Sequence, residues 1–324
     1  MRAVVINEIN DVTSLEVSSL PSPTGDGVHI DVQFSSLNYK DMMCAQPRSR
    51  VRRRTPLVGG VDAVGIVRHD TSGTFAPGSL VIAAGGDIGT GRDGGFATEI
   101  LADPSTVTLA PEGLSARQAA ICGTAGCTAM ASLRALELHG LRPGDGDVLV
   151  TGATGGVGSF AIALLAHAGY RVVASTGSPA DHEWLHSLGA SEVVGRDEVA
   201  DKPERILASE RWAGAIDCVG GVTLHHILRS LRYGGAVAAS GLVAGAELIS
   251  TVYPFITRAV TLVGIDAVMA HPSQRQAVWE LLRDASRTLD LDTFVDRTIP
   301  LEEVATALGD LSHGQIRGRV VVEI

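Results

Sequence analysis

The chain has 324 residues, 45% hydrophobic and 19% charged, with a formal net charge of −10 at pH 7. That is the composition of a globular enzyme of about two domains, and the negative balance speaks against general nucleic-acid binding. No apolar run reaches about 18 residues, so no membrane-spanning helix is expected. The opening "MRAVVINEINDV" breaks its apolar patch at Asn7 and Glu8, too early for the core of a secretory signal. The four cysteines (44, 122, 127 and 218) form neither a disulfide framework nor a CxxC knuckle, so a reducing cytoplasm is the expected compartment.

Residues 1–110 read as β-rich. "RAVVINE", "GVHIDVQFSSL", "VDAVGIVRH" and "SLVIAA" are β-branched runs separated by Gly, Pro and Asp turn signals. Within them, Asn38 and Asp41 of "SLNYKDMM" are spaced as N-cap and N3 of a helix. After "APEGLSARQAA" an alanine-rich helical spacing takes over, and from 147 a strand–helix rhythm begins. Strands are expected near 147–152, 171–176, 191–195, 214–219, 236–241 and 261–266, with helices at 179–188, 222–232 and 273–286. Continuous apolar runs of this kind suit strands buried on both faces, and six of them with crossovers imply a doubly wound parallel sheet. The tail "GRVVVEI" is again strand-like and is expected to complete the first domain.

The stretch "TGATGGVGSF" carries Gly152, Gly155 and Gly158, with Gly156 as an extra, between a strand and a helix. In that context glycines let the backbone approach a pyrophosphate, and the helix N-terminus offers free N–H groups. Val157, Phe160, Ala161, Leu164, Leu165 and Ala168 would form an apolar stripe on the helix, and Gly169 is placed to end it. NAD-selective sites carry an acid at the end of the second strand. Here that place reads "ASTGS", with Thr176, Gly177 and Ser178 and no carboxylate, and Arg196 follows the third strand. A 2′-phosphate would meet hydroxyls, backbone N–H groups and a guanidinium fork, so NADPH is the expected cofactor. "SPAD" also reads as a helix start, with Ser178 at the N-cap. "HEWLH" (182–186) is a literal HExxH, but no third ligand is apparent, so a helix packing Trp184, Leu185 and Leu188 inward is expected and no metal.

Five segments, "SSLNYKD", "GTAGCTAM", "VTGATGGVGS", "WAGAIDCVGG" and "YPFITR", resemble the zinc-free medium-chain dehydrogenase/reductases, and within them the NADPH-dependent acrylyl-CoA reductase branch. The resemblance runs nearly end to end. It implies an α/β fold: a β-rich GroES-like catalytic domain from both termini (1–118 and 290–324) and a Rossmann-type NADPH-binding domain between (119–289), often as a homodimer. It implies cofactor contacts at Thr154, Gly155, Gly156, Val157, Thr176, Gly177, Ser178, Arg196, Leu242, Ile256 and Arg319. Zinc-using relatives have a Gly-His-Glu segment where this chain reads "GGVDAVG". The family commonly has Arg at the place of Ser178, which shifts weight onto Arg196.

The implied chemistry is reduction of the double bond of a short α,β-unsaturated acyl-CoA. Asn38, Tyr39 and Asp41 are the candidate catalytic residues, Tyr39 as donor to a developing enolate oxygen. The basic run "PRSRVRRR" suggests a clamp for CoA phosphates at Arg52, Arg53 and Arg54, against the plainer reading of a solvated loop. Two alternatives stand beside this: a quinone or enone reductase of the zeta-crystallin kind, and an NADPH-binding protein without turnover. Neither nucleic acid nor membrane is an expected partner.

Overall fold

The computed structural model describes residues 1–200 and 205–324. The chain opens with β1 (Arg2–Ile9), β2 (Val12–Ser19), β3 (Val28–Ser36), α1 (Tyr39–Ala45), β4 (Leu57–Val58), β5 (Asp62–Asp70), β6 (Leu80–Ala84), β7 (Glu99–Ala102) and β8 (Val107–Leu109). The long α2 (Ala116–Leu138) leads into β9 (Asp147–Thr151), α3 (Gly156–His167), β10 (Arg171–Thr176), α4 (His182–Ser187), β11 (Ala190–Gly195), β12 (Trp212–Asp217), α5 (Gly221–Ser230), β13 (Leu231–Ala239), α6 (Tyr253–Arg258) and β14 (Thr261–Gly264). It closes with α7 (Pro272–Ala285), β15 (Val295–Ile299), α8 (Val304–Ser312) and β16 (Arg319–Glu323).

These elements form two compact units, Met1–Cys127 with Ala267–Ile324, and Thr128–Asp266. The sequence boundaries at 118/119 and 289/290 put α7 in the wrong unit. Arg275 explains why: from α7 it donates to Thr108 Oγ1 (3.0 Å) and to the carbonyls of Ala84 and Ser105, all in the first unit.

In the first unit the mixed sheet runs β15-β16-β3-β5-β6-β8, with β7 also on β3, and a smaller sheet runs β2-β1-β4. The C-terminal β16 lies antiparallel to β3, Val322 opposite Ser35, so the tail completes this unit. Its core gathers Val28, Ile30, Ala63, Val81, Ala97 and Ile100.

In the second unit the six strands are parallel in the order β11-β10-β9-β12-β13-β14. The chain lays three strands outward in one direction, then returns to the other side of β9. The point of reversal therefore falls between β9 and β12, which is where open α/β sheets bind ligands. Leu149, Val173, Ala215 and Val237 are fully buried at the centre, as the apolar runs required. Helix α3 ends as the sequence predicts: Tyr170 N–H donates to Leu165 O and Gly169 N–H to Ala166 O, with Gly169 at φ 86°. It is not a one-sided stripe, however. Every residue from Gly158 to Leu165 is buried, because the helix is apolar on all faces.

Among the described residues one helix, α2, is long and apolar enough to cross a bilayer; 78% of that apolar window is buried inside the protein. It also breaks at Gly123 (φ 47°, ψ −157°).

Candidate active site and nucleotide pocket

Strand β9 runs into the glycine loop. Gly152 turns at φ 60°, Gly155 caps α3, and Gly156 begins the helix. A Cβ on Gly158 would lie 2.3 Å from Gly152 O, so only glycine lets the first helical turn close on the loop. The helix leaves its first N–H groups without intrahelical acceptors, and Thr154 to Val157 lie at the surface around them.

One strand over, β10 ends at Thr176. Its hydroxyl is buried and accepts from Ser178 N–H at 3.1 Å. Ser178 sits at the N-cap expected of it, with Pro179 next, but its side chain makes no capping bond. The parallel register Thr176↔Gly195 sets the following residues, Gly177 and Arg196, side by side. A Cβ on Gly177 would lie 2.5 Å from Arg196 Nε and 2.7 Å from its Cζ: the exposed guanidinium covers a backbone that only glycine leaves bare. The acid two residues on, Glu198, reaches Gly195 N–H (3.4 Å) and Arg211 (3.6 Å). Leu242 follows β13, its Cα 3.2 Å from where a Gly220 Cβ would lie, and Ile256 stands exposed on α6.

The Asn38–Asp41 turn belongs to the first unit. Asp41 at N3 accepts from Asn38 N–H and Val61 N–H, both 2.9 Å. Burial, and then the Asp62 charge, push its carboxyl up to about 7 against those donors. The Asn38 amide donates to Asp62 Oδ2 (2.8 Å) and Ser36 O. Tyr39, the first residue of α1, is 39% exposed beside these two buried neighbours. The turn is thus rigid at both flanks and presents one phenol.

Asp62 is a residue that sequence reading missed. Its carboxylate accepts from Ser36 Oγ (2.9 Å), Asn38 Nδ2 (2.8 Å), Thr124 N–H (2.9 Å) and Thr124 Oγ1 (2.5 Å). The kink at Gly123 admits this cluster, since a Cβ there would lie 2.5 Å from Asp62 Oδ2. Arg319, expected among the cofactor contacts, lies in the same cluster, 2% exposed. It donates to Ile121 O (2.9 Å), Leu37 O (2.9 Å), Asn38 Oδ1 (3.2 Å) and Ser36 Oγ (2.7 Å). These bonds make the guanidinium an internal brace of the cluster. The signal for Asp62 was a lone acid inside an apolar run: a buried carboxylate needs hydrogen-bond donors around it.

In the basic run two of the three candidate clamp arginines already have partners within the protein. Arg52, its side chain 4% exposed, pairs with Glu8 of β1 and donates to Cys44 O. Arg54 donates to Gly91 O and Pro56 O (2.9 Å each) and pairs with Asp93 at 2.5 Å. Of the three arginines read as a clamp, Arg53 alone is exposed without a side-chain partner among the described residues.

The HExxH segment is the short α4, with Leu185 and Leu188 buried and His186 Nδ1 against Ala190 O at 2.7 Å. Among the described residues no three His, Cys, Asp or Glu side chains gather where they could hold a metal ion. Val61 stands in the stretch where zinc-using relatives carry Gly-His-Glu, so the residues present do not fit a zinc site there. Burial pushes the Cys122 and Cys218 thiols up to about 12, which leaves both poor nucleophiles.

Comparison with known proteins agrees with this architecture. The zinc-binding dehydrogenase family model matches residues 156–284. The "Putative quinone oxidoreductase YhfP" of Bacillus subtilis (strain 168) is 43% identical over 97% of this chain and 94% of its own length. Its solved structure, with NAD bound, matches with a TM-score of 0.96 over 100% of this chain and 99% of that one, at 42% identity. The acrylyl-CoA reductase AcuI of Ruegeria pomeroyi (strain ATCC 700808 / DSM 15171 / DSS-3) is 42% identical over 95% of this chain and 93% of its own. The yhdH oxidoreductase of Salmonella enterica, in complex with NADP, is 39% identical with a TM-score of 0.96 over 100% of both chains. The chain is therefore an oxidoreductase of the medium-chain dehydrogenase/reductase family, in the group that holds these acrylyl-CoA reductase and YhfP-type proteins.

Proposed function

We propose that this enzyme uses NADPH to reduce the carbon–carbon double bond of a short α,β-unsaturated acyl-CoA. The cofactor reading rests on the Arg196 guanidinium laid over the bare Gly177, at a strand end without a carboxylate. Thr176, Gly177, Ser178 and Arg196 would receive the 2′-phosphate, Thr154 to Val157 the pyrophosphate, and Leu242 and Ile256 would offer apolar contacts. When bound, NADPH supplies the hydride that such a reduction requires, at the β-carbon.

The residues of the chain serve the other half of the reaction. Hydride addition sends the double-bond electrons onto the thioester oxygen, and a donor placed there stabilises the enolate. Tyr39 is an accessible donor on a turn whose Asn38 and Asp41 side chains are already hydrogen-bonded, and this single observation carries the catalytic assignment. Asn38 and Asp41 act on the reaction by holding that turn. The proton that completes the α-carbon comes from the Tyr39 hydroxyl or from water. Likeness to the AcuI protein favours an acyl-CoA substrate.

A second reading, reduction of a quinone or free enone, draws support from Arg52 and Arg54, whose internal bonds leave little of a CoA-phosphate clamp. Steady-state assays with NADPH against acrylyl-CoA, crotonyl-CoA and a simple quinone separate the two. A kcat/KM for the quinone above that for both CoA esters overturns the first.

A homodimer fits the same frame. Strand β14 is one of the two edges of the parallel sheet, and Val243, Ile249 and Val252 stand exposed in the preceding connection. Light scattering after gel filtration tests it.

A further inference from the structure

The reversal point of the six-stranded sheet is held by a buried pair that touches none of the residues assigned to the 2′-phosphate. Strands β9 and β12 are neighbours, with Ile216 opposite Val150, so the next residues, Thr151 and Asp217, come together at their C-terminal ends. Asp217 is fully buried. Thr151 Oγ1 donates to Asp217 Oδ1 at 2.6 Å, and the same hydroxyl accepts from Cys218 N–H at 3.1 Å, which leaves its proton only the carboxylate. Oδ1 also accepts from Val219 N–H (3.2 Å) and Oδ2 from Gly220 N–H (2.9 Å). The Asp217 carbonyl accepts from Ser240 N–H and Gly241 N–H beyond β13. One residue thus ties the ends of three adjacent strands.

The turn it holds backs the glycine loop directly. A Cβ on Gly152 would meet Cys218 Cβ at 3.2 Å and Val219 Cγ2 at 3.4 Å. On its other side Gly152 O leaves no room for a Cβ at Gly158, in the first turn of α3. Gly220, at φ 75°, is equally hemmed in, with Gly241 O 2.7 Å from a Cβ there. The loop therefore has no slack: its position relative to the first N–H groups of α3 follows the position of residues 218–220.

We propose that Thr151 and Asp217 are positioning residues that set the glycine loop for the pyrophosphate, acting through the 218–220 turn and Gly152. The proposal rests on the NADPH reading above. A bystander role in the core would affect all ligands of this unit alike. A positioning role affects the pyrophosphate end and leaves the 2′-phosphate end, built on β10 and Arg196, as it is.

Thr151→Val and Thr151→Ser make the test, with NADPH and 2′-AMP titrated by calorimetry. 2′-AMP carries the 2′-phosphate but no pyrophosphate. Thr151→Val, which removes both hydrogen bonds of the hydroxyl, is expected to weaken NADPH about tenfold. Its 2′-AMP affinity should stay at the wild-type value, and Thr151→Ser should restore NADPH binding. Should Thr151→Val fail to fold, Asp217→Asn replaces it. That change turns an NH₂ group toward the Gly220 or Val219 N–H and should give the same split. NADPH binding unchanged in the folded variant, or 2′-AMP weakened in step with NADPH, overturns the proposal. A wild-type protein that does not bind NADPH overturns the cofactor reading instead.

Discussion

Removal of Arg196 tests the cofactor assignment most directly. The guanidinium is exposed, lies over Gly177, and stands beside a strand end with no carboxylate to repel a phosphate. A charge-assisted hydrogen bond contributes roughly 1.5–3 kcal/mol. Because solvent screens an exposed group, the lower end applies, and about 1.5 kcal/mol corresponds to about tenfold in Kd. Arg196→Ala should therefore raise the NADPH Kd about tenfold and leave that of NADH unchanged, as measured by nucleotide fluorescence. The difference should shrink as salt rises, since exposed charges are screened over about 8 Å at physiological ionic strength. Gly177→Ala offers an independent route to the same result. Its Cβ would stand 2.5 Å from Arg196 Nε and displace the guanidinium without deleting it. Equal losses for the two nucleotides, or tighter NADH binding by the unmodified enzyme, would refute the reasoning.

Tyr39→Phe should lower kcat by about tenfold or more with little change in KM, because the lost donor acts in the transition state; an unchanged kcat assigns the enolate to another donor. Asp62→Asn should cost about 3–5 kcal/mol in urea unfolding, since Arg319 would lose its nearest carboxylate, 3.9 Å away, and one donor would face an NH₂ group; a loss below about 1 kcal/mol contradicts the hub. Arg52→Ala should destabilise the fold, leaving Glu8 unpaired, and should lower turnover of a CoA ester and of a small enone equally; a KM rise confined to the CoA ester would revive the clamp. Asp41 sets a pH dependence: its carboxyl is raised from 3.8 to about 7 in the folded state, so its contribution is complete below about 4 and is lost as pH rises toward 7. That contribution is on the order of 4 kcal/mol at most, and Asp41→Asn should flatten the stability profile between pH 4 and 7, whereas parallel profiles for the two proteins would rule the assignment out.

The second unit was legible because its central strands are apolar on both faces, and a run such as "DVLVT" or "GAID" states its burial without help from a partner. The first unit was legible only in part. β2, "VTSLEVSS", has no fully buried residue and is a strand because it pairs with β1 along its whole length. β7 and β8, of four and three residues, likewise follow from their partners β3 and β6. Nor could local pattern show that α7 packs against the first unit, because Arg275 reaches Thr108 across 167 residues of chain.

The same distinction governs the candidate sites. A glycine loop is a local device: its spacing, its flanking strand and its helix cap all lie within a few residues, so "TGATGGVG" could be read as it stands. A charge is different, because its role depends on what the fold brings to it. Arg52, Arg54, Arg196 and Arg319 are indistinguishable as letters. Glu8 and the carbonyl of Cys44 claim the first, Asp93 the second, and Ser36, Leu37, Asn38 and Ile121 the last. Only Arg196 of these four remains exposed and without a side-chain partner among the described residues, so it alone is available to an incoming phosphate. The buried acids carry the converse signal. Asp62 in "GGVDAVG" and Asp217 in "GAIDCVGG" interrupt apolar runs, where an ionisable group is tolerated only if donors converge on it. Both prove to be acceptors of converging donors, one beside the Tyr39 turn and one beside the glycine loop. A lone carboxylate in an apolar strand therefore marks where several segments of the chain must meet, and here both meeting points lie next to the residues to which the chemistry is assigned.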